Sequence, residues 1–171
     1  MINPHKITDD SLPLIVLSDH TSGFIQWAIK FRTNAQYNHI MIMHRPKKFA
    51  SQGNVYSEIN IDRYMTNKSR LKFWTLKGLT GRQRQKLISK IGDDIKKPWH
   101  KRMYDYFGIL GQLTGLKFIN NPLKMYCSER VAHDIRPYIY GIPEHPSPKD
   151  LNEFFKKHPD QFEVYGRWSA D

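Results

Sequence analysis

The chain contains one cysteine and no long uninterrupted apolar stretch. With Cys127 alone an internal disulfide is impossible, so a reducing compartment suits the protein. The longest apolar run, Leu12 to Leu17, contains Pro13 and is far too short to cross a bilayer. The first residues show no apolar core followed by small residues, so no standard secretory signal is predicted. These absences favour a cytoplasmic protein, with a phage-encoded origin as an open alternative.

Acidic residues are scarce in the middle of the chain. From Arg63 to Arg102 we count thirteen Lys and Arg residues against two Asp residues, whereas the rest of the chain carries fourteen of each sign. The whole net charge of +11 therefore comes from this basic segment. Such a segment suits an anionic partner, namely nucleic acid, a phospholipid surface or an acidic cell-wall polymer. A solvated helix face in an ordinarily basic protein is the alternative interpretation.

Flexible linkers and internal repeats are also missing. No Gly/Ser-rich or Pro-rich stretch separates two regions of the chain. Hydrophobic residues make up 39% of the 171 residues and aromatic residues 13%, which is enough for one domain with a core but short for two. We therefore expect residues 1–171 to form a single domain. The sequence leaves its oligomeric state open.

Apolar patterns and caps predict both strands and helices. Strands are predicted at 14–17, 37–44, 54–60, 71–76 and 162–165. Helices are predicted after the caps Ser22, Thr80 and Ser147, from Trp99 to Leu113, and from Cys127 until Pro137. The predicted fold class is α+β, with an antiparallel sheet packed against helices.

The segments 37–44 and 54–60 are predicted to pair as an antiparallel hairpin across the loop from Arg45 to Gly53. If residues 44 and 53 face each other near the loop, the register places His39 opposite Glu58. Glu58 would then accept a proton of the imidazole. An edge-strand carboxylate facing water is the alternative role for Glu58, and Asn60 is a second candidate partner because it shares the face.

Cys127 is predicted to open a helix. A thiol attacks only as the thiolate, and a helix N-terminus favours that anion through its unpaired N–H groups and its dipole. A lone cysteine is also a common small core residue. Its position alone therefore leaves a nucleophile and an inert core residue as alternatives.

His39 is the predicted base, because a neutral imidazole within an apolar strand needs its nitrogens satisfied or used. Seven other histidines compete with it. Of these, His44 lies on the opposite face of the same strand. His133 follows Cys127 by six residues, which puts it well over half a turn away and about 9 Å along the helix axis. A residue on the same helix would be a poor base at that distance.

Motifs of other chemistries are absent from the sequence. No HExxH or CxxC spacing supports a zinc site, and no GxSxG or Walker loop supports a serine hydrolase or a P-loop nucleotide site. We therefore predict neither a metal nor a cofactor.

Four sequence blocks together resemble one known family. In chain order they are Tyr37-Asn38-His39-Ile40-Met41-Ile42, Val55-Tyr56-Ser57-Glu58, Tyr104-Asp105-Tyr106 and Tyr126-Cys127-Ser128-Glu129-Arg130-Val131-Ala132. Across residues 12–155 the chain resembles the YiiX-like, circularly permuted branch of the NlpC-type papain-like superfamily, which is related to lecithin retinol acyltransferase-like enzymes. Permuted members place the histidine strand first and the cysteine helix late, as here. One departure is Ser18-Asp19, where the family usually has a glycine-aspartate turn.

The resemblance implies a permuted papain-like fold and a cysteine peptidase or amidase. It implies that His39 takes the proton from Cys127, with Glu58 as the third residue, and that the thiolate attacks an amide or ester carbonyl to form an acyl-enzyme. The implied substrate is a peptidoglycan peptide or a lipid-linked acyl group, with hydrolase and acyltransferase as alternatives. The basic segment 63–102 would then face an anionic polymer or a phospholipid surface.

A non-enzymatic protein is the competing hypothesis. It would bind nucleic acid through residues 63–102, with Phe73, Trp74 and Trp99 as candidates for stacking on bases. No recognised nucleic-acid-binding motif is present, so nucleic acid is not expected to be an obligate partner.

Overall fold

A six-stranded antiparallel sheet forms the centre of the fold. The computed structural model describes residues 1–20, 36–66, 69–103 and 125–170. Its strands are β1 (Leu14–Ser18), β2 (His39–Arg45), β3 (Lys48–Gln52), β4 (Tyr56–Asn60), β5 (Arg70–Leu76) and β6 (Phe162–Ser169). Its helices are α1 (Gly81–Lys96), α2 (Cys127–Ile135) and α3 (Pro148–Lys157). The strand order is β4-β3-β2-β1-β5-β6, and the predicted α+β class is confirmed.

One strand, β3, was not predicted. It lies between β2 and β4 and pairs with both, so the predicted direct hairpin between 37–44 and 54–60 is wrong. The chain reverses tightly after β2, where Lys47 adopts a positive φ of 62°. Two short turns therefore replace the expected long loop from Arg45 to Gly53, and the register between His39 and Glu58 is lost.

The helices begin where their caps predict. Thr80 and Gln83 form a capping box at α1, and Ser147 and Asp150 form another at α3, satisfying first-turn N–H groups in both helices. The third helix, α2, starts at Cys127 itself. No helix in the described ranges is long and apolar enough to cross a membrane.

Alternation along β2 divides the core between the two faces of the sheet. Ile40 and Ile42 pack on the face that α2 covers, in the same cluster as Cys127. Met41 and Met43 pack on the opposite face, in a second cluster. This period of two follows from the pleat of the strand and puts residues 39, 41 and 43 on one side.

The predicted helix from Trp99 to Leu113 is only partly testable. Its first residues form a short 3-10 helix, Trp99–Lys101, and Met103 then bridges Val55, so an α-helix does not start at Trp99. The rest of that segment, the helix predicted after Ser22 and the block Tyr104-Asp105-Tyr106 lie outside the described residues.

Candidate active site

Cys127 occupies the first position of α2 and is 2% exposed. The capping residue, Tyr126, makes no side-chain cap hydrogen bond, so its side chain does not occupy the N–H groups of the first turn. The backbone N–H groups of Cys127 and Ser128 instead act on the sulfur and lower the pKa of the thiol. The helix N-terminus therefore holds the thiol in a field that favours negative charge.

Burial opposes the effect of the helix N-terminus on the pKa of the Cys127 thiol. It raises the pKa of the Cys127 thiol to about 11, although the backbone hydrogen bonds act in the other direction. The expectation that the helix N-terminus would favour a thiolate is thus outweighed by desolvation in the resting protein. At neutral pH the side chain is a protonated thiol and needs a base to become nucleophilic.

His39 is the first residue of β2, and its imidazole is buried at 3% exposure. Burial, together with the charge of His20, lowers the pKa of His39 to about 4, so the ring is neutral at pH 7. Its Nε2 lies 2.8 Å from Oγ of Ser51. Among the described residues, Nδ1 has no hydrogen-bond partner, which leaves this nitrogen available to accept a proton.

Ser51 and Tyr64 extend the contact of His39 into a chain of three polar groups. The Ser51 hydroxyl lies 3.0 Å from the Tyr64 hydroxyl, and the Tyr64 ring stacks on the imidazole with centroids 5.7 Å apart and planes 8° from parallel. Ser51 is fully buried in β3. Sequence reasoning missed Ser51 because it fell in a predicted loop. The sequence Lys48-Phe49-Ala50-Ser51-Gln52 has no apolar–polar alternation that would have indicated this strand.

The thiol and the imidazole lie at the same end of β2 but belong to different sides of the sheet. Cys127 packs in the cluster of Ile40 and Ile42, whereas the His39 ring stacks on Tyr64, a member of the cluster of Met41 and Met43. The backbone N–H of Ile40, the residue after His39, is near enough to the Cys127 sulfur to lower the pKa of the thiol. The charge of Cys127 also reaches Tyr64, whose pKa is raised by burial and by that charge. No hydrogen bond joins the thiol to the His39 ring within the described part of the chain.

Glu58 and Asn60, the predicted third residues, have other partners. Glu58 lies 3.0 Å from Nε2 of His44, on the other face of β2, and 3.8 Å from Arg45. Asn60 accepts a hydrogen bond from the N–H of Asp62 and caps the 3-10 helix Ile61–Arg63. The predicted contact between His39 and Glu58 is therefore wrong, because β3 separates their strands.

A hydrogen bond between Glu129 and His145 ties the start of α2 to the segment before α3. The buried carboxylate of Glu129 lies 2.6 Å from Nδ1 of His145. Burial raises the pKa of Glu129, and the hydrogen bond and charge of His145 oppose that rise. This pair fixes the turn of helix that carries Cys127.

A buried charge cluster holds the far end of α2. Asp134 is fully buried and receives Lys90 at 2.7 Å, Tyr56 at 3.3 Å and Arg130 at 3.4 Å. Burial would raise the pKa of Asp134, but His133 and the neighbouring cations hold it below its ordinary value. His133 itself is exposed and contacts this cluster, so it has a structural partner of its own.

The basic segment is less available than its composition suggests. Seven of its thirteen cations contact groups of the protein, and they are Arg70, Lys72, Lys77, Arg84, Lys90, Lys97 and Arg102. Phe73 and Trp74 are buried, whereas Trp99 is 62% exposed. Two of the three aromatic residues considered for stacking on bases therefore belong to the core.

Comparisons with protein-family models, curated proteins and solved structures gave no match. Within the described residues, no group of three or more His, Cys, Asp or Glu side chains is arranged to hold a metal ion. Without a match, the protein is described by its α+β fold and by two buried side chains, His39 at the start of β2 and Cys127 at the start of α2.

Proposed function

We propose that this protein is a cysteine hydrolase or acyltransferase acting on amide bonds, with a permuted papain-like fold. Cys127 is the nucleophile, His39 is the base, and Ser51 orients the base. The observation that supports this assignment is the position of the Cys127 sulfur. It lies at a helix N-terminus, near the backbone of Ile40, the residue that follows His39.

The hydrogen-bond chain favours one tautomer of His39. With Nε2 protonated, the ring donates to the Ser51 oxygen, and the Ser51 hydroxyl donates to Tyr64. Nδ1 is then the unprotonated nitrogen, and the proposed reaction requires it to reach the Cys127 thiol around the first residue of β2 and take its proton. Because both groups are neutral at rest, the proton moves as the sulfur attacks the carbonyl carbon.

Backbone groups at the start of α2 stabilise the resulting oxyanion. The N–H of Cys127 is the natural donor, aided by the helix dipole. Collapse of the tetrahedral intermediate breaks the C–N bond, and the amine leaves with the proton carried by His39. A thioester on Cys127 remains, which water hydrolyses or an amine acceptor intercepts.

A minimal acyl donor tests this chemistry without knowledge of the natural substrate. p-Nitrophenyl acetate should release nitrophenolate in a burst and leave one acetyl group on Cys127, detected by mass spectrometry of the intact protein and its peptides. Cys127→Ala should abolish the adduct, and His39→Ala should slow its formation by about 100-fold or more. The control is His100→Ala, in an exposed histidine outside the site. Equal acetylation rates in wild type and His39→Ala would refute the proposed pair.

A further inference from the structure

Lys72 is a buried lysine in the middle of β5. Its side chain is only 4% exposed, and its Nζ lies over the ring of Trp74, 4.1 Å from the ring centroid. A lysine is rarely buried without a partner of opposite charge, because the ammonium loses hydration that such a partner would replace. Within the described part of the chain, the side chain of Lys72 makes no salt bridge and no hydrogen bond. The aromatic ring is therefore the direct contact of this charge.

Arg167 brings a second positive charge to the same place. It stands directly opposite Lys72 in the antiparallel pairing of β5 with β6, so both side chains leave the same face of the sheet, with Cβ atoms about 5 Å apart. Like charges in this relation destabilise a sheet. Arg70, two residues before Lys72, is already paired with Asp19 at 2.7 Å. The guanidinium of Arg167, by contrast, has no salt bridge or hydrogen bond in the ranges that the structure describes, so no carboxylate there neutralises the two cations by contact.

The charges on α3 do not neutralise this pair of cations. Lys156 and Glu153 form a salt bridge with each other at 2.7 Å, so their charges largely cancel. Burial and the charges of Arg167 and Lys156 lower the pKa of Lys72 to about 8, while Glu153 acts in the opposite direction. Lys72 is still mostly protonated at pH 7, because that pKa lies above neutral. An excess of positive charge from Lys72 and Arg167 therefore remains.

An anion can reach both cations from solvent. Arg167 is an exposed residue. Nζ of Lys72 has no hydrogen-bond partner, yet it is not among the polar atoms that are sealed off from solvent without one. The burial of Lys72 is thus mainly that of its aliphatic stem, and the ammonium reaches the surface, as lysine head groups commonly do. The two flexible side chains can converge on one bound group.

We infer that Lys72 and Arg167 form a binding site for a phosphate group. The guanidinium offers paired N–H donors that match two phosphate oxygens, and the ammonium adds a point charge. A phosphate monoester carries a charge of about −1.5 to −2 at pH 7, which offsets both cations, whereas a carboxylate offsets one. The site lies two strands away from Ile40, the β2 residue near the Cys127 sulfur, so the inference does not depend on the proposed amide cleavage.

Binding can be measured on the whole protein with sodium phosphate as the probe. We would titrate it at pH 7 and constant ionic strength, and follow amide chemical shifts by NMR together with the temperature of unfolding. The shifts should saturate and be largest on β5 and β6. The unfolding temperature should rise, because a ligand of the folded state stabilises it. Sodium acetate at matched ionic strength carries a single charge and should bind about fivefold or more weakly.

Two further probes identify the source of the phosphate group. Glycerol 3-phosphate represents a soluble ester, and phosphatidylcholine vesicles that contain phosphatidic acid represent a lipid head group. Tighter binding of glycerol 3-phosphate than of inorganic phosphate would assign the site to a soluble ester. Sedimentation with the acidic vesicles, but not with pure phosphatidylcholine vesicles, would assign it to a lipid. Binding of inorganic phosphate alone would assign it to the free ion.

Lys72→Met keeps an apolar stem over Trp74 and removes the charge. It should weaken the binding of phosphate about tenfold or more and abolish the rise in unfolding temperature that phosphate causes. The variant should fold, because it retains the buried stem and removes a like-charge repulsion. Arg167→Gln, at an exposed position, should weaken phosphate to a similar extent. The matched control is Lys86→Met, in an exposed lysine of α1, which should change neither readout.

The inference is overturned if sodium phosphate causes no saturable shift, if acetate binds as tightly as phosphate, or if Lys72→Met and Lys86→Met bind phosphate equally. It is also overturned if Arg167→Gln binds phosphate as tightly as the wild type. Failure of the proposed chemistry would look different, because acetylation of Cys127 would then be absent while the binding of phosphate stayed as expected. Phosphate binding and acyl transfer are thus tested by independent readouts.

Discussion

Nε2 of His39 on β2 lies 2.8 Å from the hydroxyl oxygen of Ser51 on the neighbouring strand β3. This contact gives the imidazole a defined orientation in a site where both groups are buried. A third residue that orients a base is a recurring part of nucleophilic sites, and a serine hydroxyl can fill that role by hydrogen bonding alone. In the proposed mechanism, Ser51 takes the role that the sequence analysis assigned to Glu58.

Ser51→Ala should slow acetylation of Cys127 by about tenfold, since it removes one net hydrogen bond that orients His39. Tyr64→Phe keeps the stacked ring and removes only the hydroxyl beyond Ser51, so its effect should be smaller, about threefold. Acetylation rates should be measured across pH 6 to 9, because loss of a fixed tautomer also changes the pH profile. Unchanged rates and profile in Ser51→Ala would mean that the contact is only structural.

Glu58→Gln should leave the acetylation rate unchanged, because the carboxylate contacts His44 and not His39. It should instead lower the free energy of unfolding by about 1 kcal/mol, the usual worth of a hydrogen bond of this kind. Urea unfolding and the acetylation assay on the same preparation separate the two effects. If Glu58→Gln slowed acetylation as much as Ser51→Ala, Glu58 would again be a candidate residue of the active site.

The buried neutral His39 should make the protein acid-sensitive. Its folded pKa of about 4 lies below its unfolded value of 6.5, so the unfolded chain binds more protons between these values. Stability therefore falls as pH drops from 6.5 to 4, by up to about 3 kcal/mol for this group. Burial lowers the pKa of His44 as well, and His44 contributes in the same direction.

Urea unfolding at several pH values tests this expectation. His39→Asn should be measurably less sensitive to acid than wild type between pH 6.5 and 4, although the contribution of His44 remains. His100→Asn, in an exposed histidine, should follow the wild-type curve. If His39→Asn and wild type lose stability in parallel, His39 is not held neutral by burial.

Alkylation of Cys127 by iodoacetamide should be slow at pH 7. A thiol pKa of about 11 leaves a thiolate fraction some 100-fold smaller than that of an ordinary cysteine, and burial restricts access further. The rate should keep rising with pH well beyond 9. Fast alkylation at pH 7 that levels off below pH 8 would show a stable thiolate at rest and exclude the neutral pair.

Local patterns in the sequence predicted many of the elements that the structure describes. The caps Thr80 and Ser147 start α1 and α3 as expected, since capping depends on side chains only three residues apart. The short apolar runs that form β1 and β5 were readable for the same reason. The strand β3 was not, because Lys48 and Gln52 interrupt the apolar alternation and its pairing is decided by two neighbouring strands.

By itself the sequence determined which groups could react and in which elements they lie. Cys127, the lone cysteine, was predicted at the start of a helix, and His39 was predicted in an apolar strand. The tertiary structure decided what surrounds them. Ser51 contacts His39 because β3 inserts into the sheet between β2 and β4. The tertiary structure also decided the protonation of Cys127 and His39. Desolvation depends on every element packed around a group, so a local sequence pattern does not reveal it.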